Sequence, residues 1–266
     1  MKLNIVPART GFEWVKLGVR TFMKQPLALT GLFFMYMAVV AVLFTIPVVG
    51  PVLGVMIAPA ATLGFMMATW EVTNGRFPMP TVLVSAFRAD RQRAKAMLVL
   101  GGLYALCAVV VGLLSSLVVG DLPMPQPNTQ TAPDAALAAR VFLSLLLYIP
   151  VLLLFWHAPA LVHWYGVSPV KSMFFSVVAC VRNFGAYLVY GLAWGAVFVA
   201  LSLVMSMVAA LVGGQAAATA VLVPTLLLLL AMFSTSLYFT FRDSFRPDEP
   251  EAPESTPGEE GGSARG

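Results

Sequence analysis

A chain of 266 residues that is 59% hydrophobic and only 11% charged cannot clothe a soluble fold, for which charged residues are typically about 25%. The surplus apolar surface must meet lipid, which excludes a water-soluble globular domain. The net charge of +4 can mean nucleic acid, a membrane surface or nothing specific, and the placement of the charges decides for the membrane.

Met1 to Thr10 contains no apolar h-region, so no cleavable signal peptide is expected. Thr10-Gly11-Phe12-Glu13 reads as a capping box, with Thr10 at the N-cap and Glu13 at N3. The helix it opens is amphipathic. Glu13, Lys16, Arg20 and Lys24 share one face, and Phe12, Val15, Val19 and Phe22 another, the pattern of a helix lying in the membrane interface.

Six segments then reach the roughly 20 apolar residues that a bilayer demands. They run over about 27–48, 52–70, 97–119, 141–164, 184–211 and 217–241, and none has a charge at its middle. Gly50-Pro51 and Gly213-Gly214 mark tight turns in the first and third hairpins. Gly120 to Arg140 is the one sizeable loop on its side, with a Pro-rich stretch and a helix start at Pro133-Asp134. Short amphipathic helices are expected again from Pro80-Thr81 to Lys95 and from Ser168-Pro169 to Arg182-Asn183, the latter with Ser168 as N-cap and Pro at N1. Residues 244–266, rich in Pro, Glu, Gly and Ser, form a disordered acidic tail.

Of the 16 lysines and arginines, only Arg140 falls among the loops after spans one, three and five. The positive-inside rule therefore puts both termini in the cytoplasm. Phe12, Trp14, Trp70, Trp164, Tyr165 and Tyr238 fall near the cytoplasmic span ends, where aromatic rings favour the headgroup level.

The chain reads as three repeats of interfacial helix, span, span, over about 10–75, 80–166 and 168–243, within one membrane domain of residues 1–243. Lys24, Lys95 and Arg182 close the leading helices, and Gly31-Leu32, Gly102-Leu103 and Gly191-Leu192 recur in the spans that follow. Ala58-Pro59-Ala60 and Ala158-Pro159-Ala160 recur in the second spans, with Ala231 in the third. Pro59, Pro150, Pro159 and Pro224 are expected to kink their helices, either fitting curved packing or lining a cavity. Gly191 and Gly195 form a G-x-x-x-G, read first as close helix packing and second as a dimer face.

No P-loop, zincin or nucleophile-elbow motif is present. Cys107 and Cys180 lack ligand spacing, so no metal or disulfide is expected. His157 and His163 lie about 120° apart on a helix and read as buried, hydrogen-bonded residues ahead of a metal or proton-relay role. Ser115, Ser116, Ser202, Ser206, Thr225, Ser234 and Thr235 either line a path or bond to their own helices. Lys16, Arg20, Lys24, Arg88, Arg91, Arg93, Lys95, Lys171 and Arg182 are the candidate contacts for anionic phospholipid, although orientation alone would also require them.

The run Phe155-Trp156-His157-Ala158-Pro159-Ala160-Leu161-Val162, with Ser168-Pro169-Val170-Lys171 and Val178 to Asn183, resembles uncharacterised six-span bacterial inner-membrane proteins. These are similar in layout to the membrane domains attached to some glycerophosphodiester phosphodiesterases. The resemblance covers most of residues 1–243 and implies a bacterial inner membrane; no catalytic portion is present, so no activity follows from it. The expectation is an all-α integral membrane protein with six transmembrane helices and three interfacial helices. It is non-enzymatic and without cofactor or nucleic acid, and it organises lipid or binds partners in the bilayer. The alternative is a small-solute or lipid transporter or channel.

Overall fold

A computed structural model of the chain describes residues 2–119, 135–212 and 215–246. The loop after the third span, Gly213-Gly214 and residues 247–266 lie outside them. A short strand β1 (Lys2–Leu3) precedes α1 (Thr10–Lys24), α2 (Pro26–Phe44), α3 (Val49–Met56) and α4 (Ala58–Thr73). A 3-10 turn (Pro80–Val84) and α5 (Ser85–Arg88) lead into α6 (Arg91–Val119). Then come α7 (Ala135–Phe155), α8 (Ala158–Tyr165), α9 (Pro169–Arg182), α10 (Phe184–Val212), α11 (Gln215–Ser244) and β2 (Phe245–Arg246).

Six of these stretches are long and apolar enough to cross a membrane: Pro26–Phe44, Val49–Thr73, Arg91–Val118, Val141–Tyr165, Phe184–Val208 and Leu222–Ser244. The protein is an all-α multi-pass membrane protein. β1 and β2 pair antiparallel, Lys2 opposite Arg246 and Leu3 opposite Phe245, so both described ends meet at one end of the bundle. Phe245 and Arg246, assigned by composition to the tail, belong to this paired structure, and Phe245 is buried.

Several local expectations are corrected. Thr10 is the first helical residue and Arg9 holds the N-cap, with no side-chain cap. The carbonyls of Pro7 and Ala8 accept the N–H groups of Thr10 and Gly11 instead, so the capping box has nothing left to satisfy. The first hairpin turns at Thr45 to Val48, where Val48 takes a φ of 64° that costs a β-branched residue strain. Gly50-Pro51 lies inside the first turn of α3, where a missing proline N–H does no harm. Residues 80–95 are not one helix. The Asp90 carboxylate accepts the Arg93 N–H at 2.8 Å and starts α6 there, so Arg91, Arg93 and Lys95 ride on the span itself.

Spans two and four are each broken in two. Pro59 and Pro159 sit in the first turns of α4 and α8, after breaks at Ile57 and at Trp156-His157. Pro150 and Pro224 lie inside continuous helices α7 and α11.

The packing follows an order around the bundle. α1 packs on α10 and α11, the 3-10 turn and α5 on α4, and α9 on α7 and α8. Likewise α2 meets α11, and α6 meets α3 and α4, but α10 has no comparable packing on α7 or α8 among the described residues. Small residues permit the closest approaches, as expected where lipid removes the hydrophobic drive between helices. A Cβ on Gly11 would lie 2.0 Å from the Ala186 carbonyl oxygen, and one on Gly18 would lie 2.5 Å from the Ser236 Cβ. Buried apolar side chains concentrate toward the end where the termini meet, as with Leu29 and Phe33, Met97 and Leu100, Tyr190 and Trp194, and Phe239 and Phe241. Toward the other end Val42, Leu114, Leu117, Leu203 and Leu211 are exposed.

Candidate functional site

The nine candidate basic residues all stand at the end of the bundle where the termini meet. Lys16, Arg20 and Lys24 are exposed on α1, Arg88 ends α5, Arg91 and Lys95 are exposed in the first turns of α6, and Lys171 and Arg182 are exposed on α9. Arg93 is half-buried and is the one of the nine with an ion pair among the described residues, Nε to Asp90 Oδ2 at 3.2 Å. Three cations on the positive end of α6 repel its dipole. Asp90 offsets one of them, and the Arg93 backbone N–H holds its carboxyl below the usual carboxylate range. Asp90 was missed as a cap because it sits inside a run of charges; an Asp just before a helical period was the available signal.

The faces of α1 fall as expected but for one residue: Glu13, Lys16, Arg20 and Lys24 are exposed, Val15 and Phe22 are buried and Val19 is partly buried, while Phe12 is exposed. Trp14 is fully buried within the protein. The glycine contacts rotate α1 so that Trp14 meets Tyr187 and Tyr190, while its indole N–H donates to Asp243 Oδ2 at 2.9 Å. Trp70, Trp164, Tyr165 and Tyr238 are only partly buried, and the Arg76 guanidinium lies 4.6 Å over the Trp70 ring.

Beneath the basic residues lies a polar network that no local motif announces. Asn183, buried at the α9–α10 corner, accepts the Val6 N–H at 2.8 Å and donates to the Asn4 carbonyl at 3.1 Å. Asn4 in turn donates to the Asp243 carbonyl at 2.8 Å. At the break in span four, Ser176 of α9 enters the helix ladder. Its hydroxyl accepts the His157 N–H at 3.0 Å and donates to the Leu153 carbonyl at 2.7 Å, replacing the direct bond that the break removes. His157 is fully buried, and its Nε2 bonds the Tyr187 hydroxyl. His163 is half-buried at the other end of α8. Burial pushes the Cys180 thiol up to about 12 and keeps it neutral. Among the described residues no cluster of three His, Cys, Asp or Glu side chains could hold a metal.

Pro59, Thr62, Tyr104, Leu152, Phe155 and Trp156 help line a cavity of about 150 Å³ beside the two helix breaks. Its polar groups are already satisfied. Thr62 donates to the Ala58 carbonyl at 3.0 Å, the hydroxyls of Tyr104 and Tyr148 bond each other, and the Trp156 indole N–H donates to Thr240 Oγ1 at 3.1 Å. The span serines and threonines do not converge on one path. Ser116, Ser206 and Ser234 donate to their own helices, Ser115 pairs with Ser144 at 2.8 Å, and Thr225 donates to Met205. Ser202 and Thr225 border one separate apolar groove, and Thr235 reaches the Gly18 carbonyl. Gly191 and Gly195 are exposed and a Cβ on either would meet nothing within 4 Å, so the G-x-x-x-G makes no close packing within the described chain.

No family model and no solved structure matches the chain. A curated protein of Burkholderia thailandensis, "Probable inner membrane protein BTH_II0599", is 35% identical to it over 264 residues, covering 95% of this chain and 97% of that protein. Identity of this extent across nearly the whole of both proteins shows common descent, and the chain belongs to the family of that Burkholderia inner membrane protein.

Proposed function

We propose that the protein is a non-enzymatic, multi-pass component of a bacterial inner membrane that gathers anionic phospholipids around its cytoplasmic end. The observation that carries this reading is the set of nine basic side chains at one end of the bundle, eight of them without an ion pair among the described residues. Both described ends of the chain lie there, and the positive-inside rule makes that end cytoplasmic. Each such charge near an anionic surface contributes about 1 kcal/mol. The name of the Burkholderia relative supports the inner membrane.

In this reading the described residues through Arg246 are one membrane domain of three units, and the leading helix of each unit lies in the interface. The cyclic packing supports the repeat: each leading helix rests on the second span of the unit before it, α5 on α4, α9 on α8, and α1 on α11 to close the ring. The satisfied polar lining of the cavity favours hydrocarbon over a polar solute, which sets lipid organisation ahead of small-solute transport.

The test is thermal unfolding of the purified protein in nanodiscs of phosphatidylglycerol and of phosphatidylcholine. The wild type is expected to unfold several degrees higher in phosphatidylglycerol, and R88Q/R91Q/R93Q/K95Q to lose most of that difference. Equal unfolding of the wild type in both lipids would remove the reading.

A further inference from the structure

We propose that the lateral cleft between α7 and α10 seats one anionic glycerophospholipid, with an acyl chain along the cleft and the phosphate at Arg182. The proposal rests on the lipid-gathering reading and gives it a specific seat.

The cleft lies where the packing order around the bundle fails. α2 closes on α11 and α6 closes on α3 and α4, but α10 leaves the corresponding face of α7 open. The opening has a volume of about 350 Å³ and is lined by Ile149, Leu153, Val181, Phe184, Leu188 and Gly191. Tyr187 lines the cleft while its hydroxyl bonds the fully buried His157, so it asks for no water there.

From Phe184 to Gly191 the cleft follows α10 for about 12 Å, starting at the headgroup end of the span. Arg182, between the lining residues Val181 and Phe184, is exposed and has no ion pair among the described residues. A cation at the headgroup end and hydrocarbon walls inward match a phospholipid in both charge and polarity.

Native mass spectrometry of the protein titrated with phosphatidylglycerol in detergent tests this. Gly191→Phe fills the cleft, and Arg182→Gln removes the charge. Gly31→Phe is the control, because Gly31 also has nothing within 4 Å but does not line this cleft. The lipid-bound fraction is expected to fall at least fivefold for G191F and R182Q and to stay at the wild-type level for G31F. A bound fraction that G191F and R182Q leave unchanged overturns the cleft while sparing the broader lipid reading. A wild type that binds no lipid overturns both. A dimer that G191F abolishes, without loss of lipid, assigns the face to a second copy and overturns the proposal.

Discussion

Replacing Ser176 by alanine tests the account of how the broken fourth span is held together. In the fold the Ser176 hydroxyl bridges the His157 N–H and the Leu153 carbonyl, at 3.0 and 2.7 Å, in a site where His157 is fully buried. Alanine removes both bonds and leaves a buried donor and a buried acceptor, each costing about 1–3 kcal/mol. Together the loss should come to about 2–6 kcal/mol. Ser172→Ala is the reference, because the Ser172 hydroxyl bonds only the Pro169 carbonyl of its own helix. Thermal unfolding in one detergent, followed by tryptophan fluorescence, should place S176A several degrees below both S172A and the wild type. If S176A unfolds with the wild type, the ladder of α7 and α8 closes by itself, and Ser176 does not support the break.

Three further outcomes are expected. Gly18→Val should destabilise by about 1–3 kcal/mol through overpacking, because even a Cβ lies 2.5 Å from Ser236 Cβ, whereas Gly31→Val should unfold with the wild type. Asn183→Ala should free the N-terminal segment, which it holds at Val6 and Asn4, and limited proteolysis should then cut before α1 faster than in the wild type. The Cys180 thiol ionises near 12 when folded, above its value in an unfolded chain, so the stability it contributes is whole below about pH 9 and is lost as pH rises toward about 12. The difference in Tm between the wild type and Cys180→Ala should therefore shift against the wild type between about pH 8 and about pH 11, and a constant difference would contradict the burial of the thiol.

The spans were legible because bilayer thickness acts on hydropathy directly, and the observed helices end within a few residues of the expected ones. The helix breaks come just before Pro59 and Pro159, but Pro150 and Pro224 lack the same N–H and sit inside continuous helices, so a proline alone does not say which span divides. The burial of Trp14 was not legible, since it follows from Gly11 and Gly18 meeting Ala186 and Ser236, residues far away in the chain. The ties through Asn4, Asn183 and Ser176 have the same character. Each is a single polar side chain whose partner becomes a neighbour only after the helices pack. The segment 80–95 misled because its charges and apolar residues suit one amphipathic helix, while Asp90 divides it by capping α6. The basic residues were visible as a group, but the cleft beside Arg182 depends on which helices fail to meet.

Selection of anionic lipid by the basic end of the bundle can be read by native mass spectrometry of the wild-type protein released from bilayers of equal phosphatidylglycerol and phosphatidylethanolamine. A small, discrete number of retained lipids strongly enriched in phosphatidylglycerol is expected; a protein that emerges bare, or that carries the two lipids in equal proportion, would rule such selection out.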